Sequence, residues 1–201
     1  MRKIIIDPGH GDAGCDWGAV AKDGTRESDI VLNLAKKLES MLTKKGYIVI
    51  LSRKSRINNL PITSNKLGDL PARTGIANKE KADLFISLHC NSNTNTSANG
   101  TEIYYCSGSK DGKNLAAKIL NELLYLQKIK LKKSNNPNFW DFINRGKKEA
   151  TFYVLSETNM PAVLVETLFL SNKDDLTNLK SEEFLTTYAT AITNGIEMYF
   201  K

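Results

Sequence analysis

The chain has only two histidines, and each one closes an apolar run. Ile4-Ile5-Ile6-Asp7-Pro8-Gly9-His10-Gly11 stops abruptly at a proline and two glycines, and Leu84-Phe85-Ile86-Ser87-Leu88 delivers His89. In an open parallel sheet, ligands gather where strands finish at their carboxyl side. Two carboxylates share this kind of placement. Glu166 ends Val163-Leu164-Val165, where an unpaired charge would carry a heavy desolvation cost. Glu27 precedes Ile30, Val31 and Leu34 on the apolar stripe of a helix. At that helix start it serves equally well as a ligand or as an acid complementing the helix dipole. His89 alone reads as a hydrogen-bonded core histidine, and its neighbour Cys90 points to the opposite strand face. Together, two imidazoles and a carboxylate are the ligand set of an open catalytic zinc site, and a second carboxylate supplies a base.

The elements that must position these groups alternate. Strands are expected at Ile4–Ile6, Tyr47–Leu51, Leu84–His89, Thr101–Cys106, Phe152–Leu155 and Ala162–Glu166. A helix runs from Ser28, with Val31, Leu34, Leu38 and Leu42 on one face, to a basic last turn and Gly46. Others are expected from Pro71 to about Ala82, from Gly112 to Gln127 with Leu115, Ile119 and Leu123 on one face, and from Ser181 to Tyr199. Residues 128–150, basic and then Asn/Pro-rich, suggest no regular structure. The expected fold class is α/β: one domain spanning residues 1–201, with a mostly parallel sheet of about six strands and helices on both faces.

Composition narrows the class. With 201 residues, 41% hydrophobic and 25% charged, the chain is an ordinary globular protein, and no run is long and apolar enough to span a membrane. A strand begins within three residues, so no signal peptide is expected and synthesis is expected in the cytoplasm. Cys15, Cys90 and Cys106 are too scattered for a disulfide framework. The net charge of +6 favours an anionic partner. Nucleic acid is not expected, since charge alone suggests it and no motif supports it. Gly9-x-Gly11-x-x-Gly14 fits a dinucleotide fingerprint, but Gly18 and Asp23-Gly24 break the helix that would hold a pyrophosphate.

Several stretches, taken as a set, carry a resemblance. They are Ile6-Asp7-Pro8-Gly9-His10-Gly11, Gly18-Ala19-Val20, Glu27, Ser52-Arg53, Arg73 with Ala77-Asn78, Ser87-Leu88-His89-Cys90-Asn91, and Pro161-Ala162-Val163-Leu164-Val165-Glu166 through Phe169-Leu170-Ser171-Asn172. Over nearly the whole chain the sequence resembles the zinc-dependent N-acetylmuramoyl-L-alanine amidases of the amidase 3 type. Arg145 to Leu155 is further similar to the small amidases of mother-cell lysis in spore formers, a pattern that phage lysins share.

The resemblance implies His10, Glu27 and His89 as ligands of Zn2+ and Glu166 as the catalytic carboxylate. It also implies peptidoglycan as substrate, and action on the bacterial wall after release or lysis. Asn91 and Arg73 are candidate substrate contacts, though either could be a local loop tie. A zinc endopeptidase cutting within the stem peptide would share the site, and a non-catalytic wall-binding module would not need Glu166. Anionic wall polymers are possible partners of the basic surface. Three positions depart from the pattern: Asp12 follows Gly-His-Gly, Ser52 replaces a threonine, and Leu168 stands where a glycine is usual.

Overall fold

A computed structural model of the chain describes residues 1–11, 16–57, 60–63, 67–133 and 141–201. Cys15, Asp12 and the Asn/Pro-rich stretch at 134–140 lie outside the described residues. The elements follow in the order β1 (Lys3–Pro8), α1 (Glu27–Lys44), β2 (Ile48–Leu51), α2 (Leu70–Lys79), β3 (Leu84–Asn91) and β4 (Thr101–Cys106). After these come α3 (Lys110–Lys133), β5 (Asn144–Ala150), α4 (Tyr153–Ser156), β6 (Ala162–Phe169), α5 (Lys173–Leu179) and α6 (Glu182–Phe200). One six-stranded sheet has the order β2-β1-β3-β6-β4-β5. Every neighbouring pair is parallel except β4 with β6. The expected architecture is therefore present, with two elements exchanged.

Phe152–Leu155, expected as a strand, is a helical turn. The amides of Leu155 and Ser156 bond back to the Phe152 carbonyl at 2.8 and 3.0 Å, and the turn buries Val154 and Leu155. The strand lies just before it, at Asn144–Ala150, inside the stretch expected to be irregular. That strand is a sheet edge with largely exposed side chains, so no apolar alternation marks it. Helix α3 also runs on past Gln127, to Lys133.

Successive strand residues point to opposite faces. Ile4, Ile6, Ile86, Leu88, Val163 and Val165 meet α1, α3 and α6 in the larger core cluster, which also takes Cys90. On the other face, Ile5, Phe85 and Leu164 meet Ala77 of α2 and Val154 and Leu155 of α4 in a smaller one. These two helices cover only part of that face. Beyond Leu164 the same face continues through His89 and Glu166, so the site stands where the thin cover ends. Among the described residues, no helix is long and apolar enough to cross a membrane.

Candidate functional site

Past the end of β1 the chain turns sharply, and His10 takes a left-handed backbone with φ 60°. That conformation costs a non-glycine residue about 1–2 kcal/mol, so something must hold it. Two buried guanidiniums do. Arg53 donates to the carbonyls of Pro8 at 2.9 Å and of Gly9 and Ser28 at 2.8 Å. Arg73 donates to Asp7 at 2.7 Å, to the carbonyls of Pro8 at 2.8 Å and His10 at 2.7 Å, and to Asp69 at 2.6 Å. Burial pushes the Asp7 carboxyl up, but the Arg73 charge and hydrogen bonds from Ser52, Arg73 and Ser87 hold it below the usual range.

Arg73, a candidate for substrate contact or for a loop tie, makes loop contacts here: it is 2% exposed and paired with Asp7 and Asp69, while also lining the cavity beside His10 and His89. Asn91 is likewise engaged, donating to Glu102 at 2.6 Å and accepting from the Ser92 amide at 2.9 Å.

The loop from β1 lies directly on β3. A Cβ at Gly9 would stand 2.2 Å from the His89 ring, so this close approach requires glycine. The two imidazoles then meet edge to face, 4.9 Å between centroids. Glu27, 3% exposed at the start of α1, completes the group. Its Oε2 accepts from the Ala19 amide and its Oε1 from the Cys90 amide, both at 2.9 Å. The same Oε1 lies 3.0 Å from His89 Nδ1 and 3.2 Å from His10 Nε2. Asp16 bonds the other nitrogen of His10, Nδ1, at 2.8 Å and so fixes which atom faces the cluster.

The three donors fit one metal ion. Legs of about 2.1 Å in a tetrahedron put donor atoms about 3.4 Å apart, close to the spacings here, and the three donor atoms all lie within 4.8 Å of one another. The electrostatics show that this point draws positive charge, a proton where no metal competes for it. Burial opposes charge on His10, yet hydrogen bonds to Asp16 and Glu27 lift its pKa to about 10. Burial likewise works against ionisation of Glu27, and the two imidazoles overcome it to hold this carboxyl well below its ordinary value. A carboxylate drawing two rings toward one point is a cation-binding arrangement.

Glu166 stands beside this group without belonging to it. It pairs in register with His89 across β3 and β6, and its buried Oε2 has no hydrogen-bond partner among the described residues. Burial pushes its pKa up to about 7; the His89 charge opposes this, and Glu27 and Glu102 add to it. A cavity of about 220 Å³ opens next to His10 and His89, walled by Leu70, Phe152, Tyr153 and Leu164. A larger groove of about 650 Å³, between Val20–Asp23 and Ser171–Lys173, touches none of the four residues.

The structure thus brings together His10, Glu27 and His89, with Glu166 alongside. Sequence reasoning leaves Asp16, Arg53 and Glu102 without roles. Glu102 carried the same signal as Glu166, a lone carboxylate inside an apolar strand. Asp16 sits in a glycine-punctuated loop and carried none, and Arg53 carried only its place beside Ser52 in the resemblance, without a role.

The N-acetylmuramoyl-L-alanine amidase family model matches residues 4–198. The chain belongs to this family. It is 34% identical over 198 residues to the N-acetylmuramoyl-L-alanine amidase LytC of Bacillus subtilis, covering 98% of this chain and 35% of LytC. It is also 34% identical over 197 residues to the endolysin of Bacillus phage SPP1, covering 98% of this chain and 65% of that protein. The chain therefore spans about a third of one relative and just under two thirds of the other. Among solved structures, the catalytic domain of CwlV, an N-acetylmuramoyl-L-alanine amidase from Bacillus (Paenibacillus) polymyxa, matches with a TM-score of 0.83 and 31% identity. That match covers 100% of this chain and 98% of the other.

Proposed function

We propose that residues 1–201 form one catalytic domain. It hydrolyses the amide between the lactyl group of N-acetylmuramic acid and L-alanine in peptidoglycan. His10, Glu27 and His89 would hold zinc, for which two imidazoles and a carboxylate are a common catalytic set. When bound, zinc supplies a Lewis acid that polarises a carbonyl and brings the pKa of a water towards about 7.

The chain's own residues do the rest. Glu166, with a pKa of about 7, takes the proton of the attacking water and hands it to the leaving amine of alanine. Asp16 keeps His10 Nε2 turned inward, and Arg53 and Arg73 keep the β1 loop pressed on β3. Glu166 is the observation that carries this reading, because a site that only bound metal would have no use for a buried, partnerless carboxylate in line with a ligand histidine. The net charge of +6 supports attraction to anionic wall polymers, which added salt would weaken. The protein's site of action would be the bacterial wall, reached after release or lysis.

Mass spectrometry of fragments released from purified peptidoglycan, with and without a chelator, tests this reading. Chelator-sensitive release of peptides with a free N-terminal L-alanine is expected. Fragments cut inside the stem peptide would point to an endopeptidase, and no release with zinc supplied would point to a binding module.

A further inference from the structure

Glu102 lies level with Glu166 in the antiparallel pairing of β4 with β6. His89, Glu166 and Glu102 therefore form one row across three strands, on the face where the site opens. Glu102 is 2% exposed and every lobe of its carboxylate is occupied. Oε1 accepts from Asn91 at 2.6 Å and from the Tyr104 hydroxyl at 2.9 Å. Oε2 takes two cations, Arg145 Nε at 3.0 Å and Lys148 Nζ.

Those two cations come from an irregular strand. Residues three apart on a regular strand point to opposite faces. Here β5 carries one extra residue: Thr101 pairs with Asn144, but Ile103 pairs with Lys147. Within the extra stretch Gly146 takes φ 83°. Such a bulge re-aims side chains, and this one turns both Arg145 and Lys148 to the same carboxylate.

Two cations meet this one carboxylate, so within the trio one positive charge is left over, with Asp175 and Glu166 the nearest other acids. The trio also keeps spare donors. Arg145 is bonded to Glu102 through Nε, and among the described residues its two terminal nitrogens have no hydrogen bond. Lys148 gives Glu102 one of the three protons of its ammonium group. Their side chains are 34% and 40% exposed. The Phe169 ring lies 4.9 Å from the Arg145 guanidinium, and the Tyr104 ring 5.8 Å from the Lys148 ammonium. The charges are held in place and still face outward.

We propose that Arg145 and Lys148 bind a carboxylate of the stem peptide, on the residue that follows the alanine whose amide is cut. This rests on the amidase reading above. The distance suits it: two strand spacings of about 4.8 Å separate His89 from Glu102. A peptide advancing about 3.5 Å per residue covers that span within its second residue and that residue's side chain. The peptide then crosses β6 towards β5.

The test compares release from peptidoglycan stripped of wall polymers with release from the same material after its carboxylates are converted to carboxamides. The native enzyme is expected to favour the acidic form by about tenfold or more in kcat/KM, the scale of one charge-assisted hydrogen bond. In the Arg145→Gln/Lys148→Met double variant the ratio should fall to about one. Lys44→Met removes a positive charge from the far end of α1 and should keep the ratio high. Equal release from both forms by the native enzyme overturns the proposal without any variant, as does a double variant that still favours the acidic form. Release from neither form by the native enzyme overturns the amidase reading instead.

Discussion

His89 and Glu166 stand side by side in register across β3 and β6, one turned to Glu27 and His10 and the other held beside them with an oxygen that has no hydrogen-bond partner among the described residues. That separation of roles makes Glu166→Gln a clean experiment, since the amide matches the carboxylate in shape but cannot accept a proton. Loss of a positioned general base lowers kcat by about 10²–10⁴-fold. Zinc content measured on the purified variant should equal that of the native protein. A variant that loses zinc along with activity would make Glu166 a ligand and remove it from the role of base.

Gly9→Ala probes the close approach of the β1 loop to β3. The added methyl meets the His89 ring at 2.2 Å, so either the loop or the ring must shift, and a shifted ring carries with it the Nδ1 that lies 3.0 Å from Glu27. Displacing a ligand by this route weakens metal affinity by roughly 10–100-fold, on the scale seen when supporting contacts are lost. Competition with a chelating dye would measure it. Unchanged zinc affinity would mean that the loop shifts freely and that His89 is not held by it.

The parts of the site that were legible before folding share one feature, a polar side chain interrupting an apolar pattern. Ile4-Ile5-Ile6 ending near His10, Val163-Leu164-Val165 ending at Glu166, and Glu27 on the stripe of Val31 and Leu34 all show it. What stayed hidden depends on partners far along the chain. Arg73 reads equally as a substrate contact or a loop tie, and its ion pair with Asp7, 66 residues away, shows only once the chain is folded. Strand β5 has almost no buried side chains because its place comes from backbone pairing with β4. Phe152-Tyr153-Val154-Leu155 is apolar enough for a strand, but it packs as a single helical turn over α2. So short an apolar run has no period to decide between the two. Helix α5 is brief, and its Asn172 cap accepts from the amides of Asp174 and Asp175.

Arg73→Met separates a loop tie from a substrate contact. The buried ion pair with Asp7 is 2% and 1% exposed, and removing one partner of such a pair costs about 3–5 kcal/mol because the other charge is stranded. Urea unfolding should show a loss of that size. If stability is nearly unchanged and only KM rises, Arg73 belongs to substrate binding after all.

Asp175 gives a pH dependence that can be isolated. Its Oδ2 accepts from the amides of Gly100 and Phe169, both at 2.9 Å, and so clamps the end of β6 to the start of β4. Burial is the largest influence and raises its pKa from 3.8 to about 6, against the pull of those two amides. A carboxyl with a raised folded-state pKa binds its proton more tightly when folded. Its stabilising contribution is complete below about pH 4 and disappears as pH rises through about 6. Asp175→Asn keeps an acceptor for both amides and has no proton to lose. The stability of the native protein minus that of the variant should therefore fall by on the order of 1–3 kcal/mol between pH 4 and pH 7. Denaturant unfolding of both proteins at several pH values measures this directly, and the other acids cancel in the difference. Parallel curves would show that Asp175 is ionised in the folded protein throughout, with the two amides outweighing its burial.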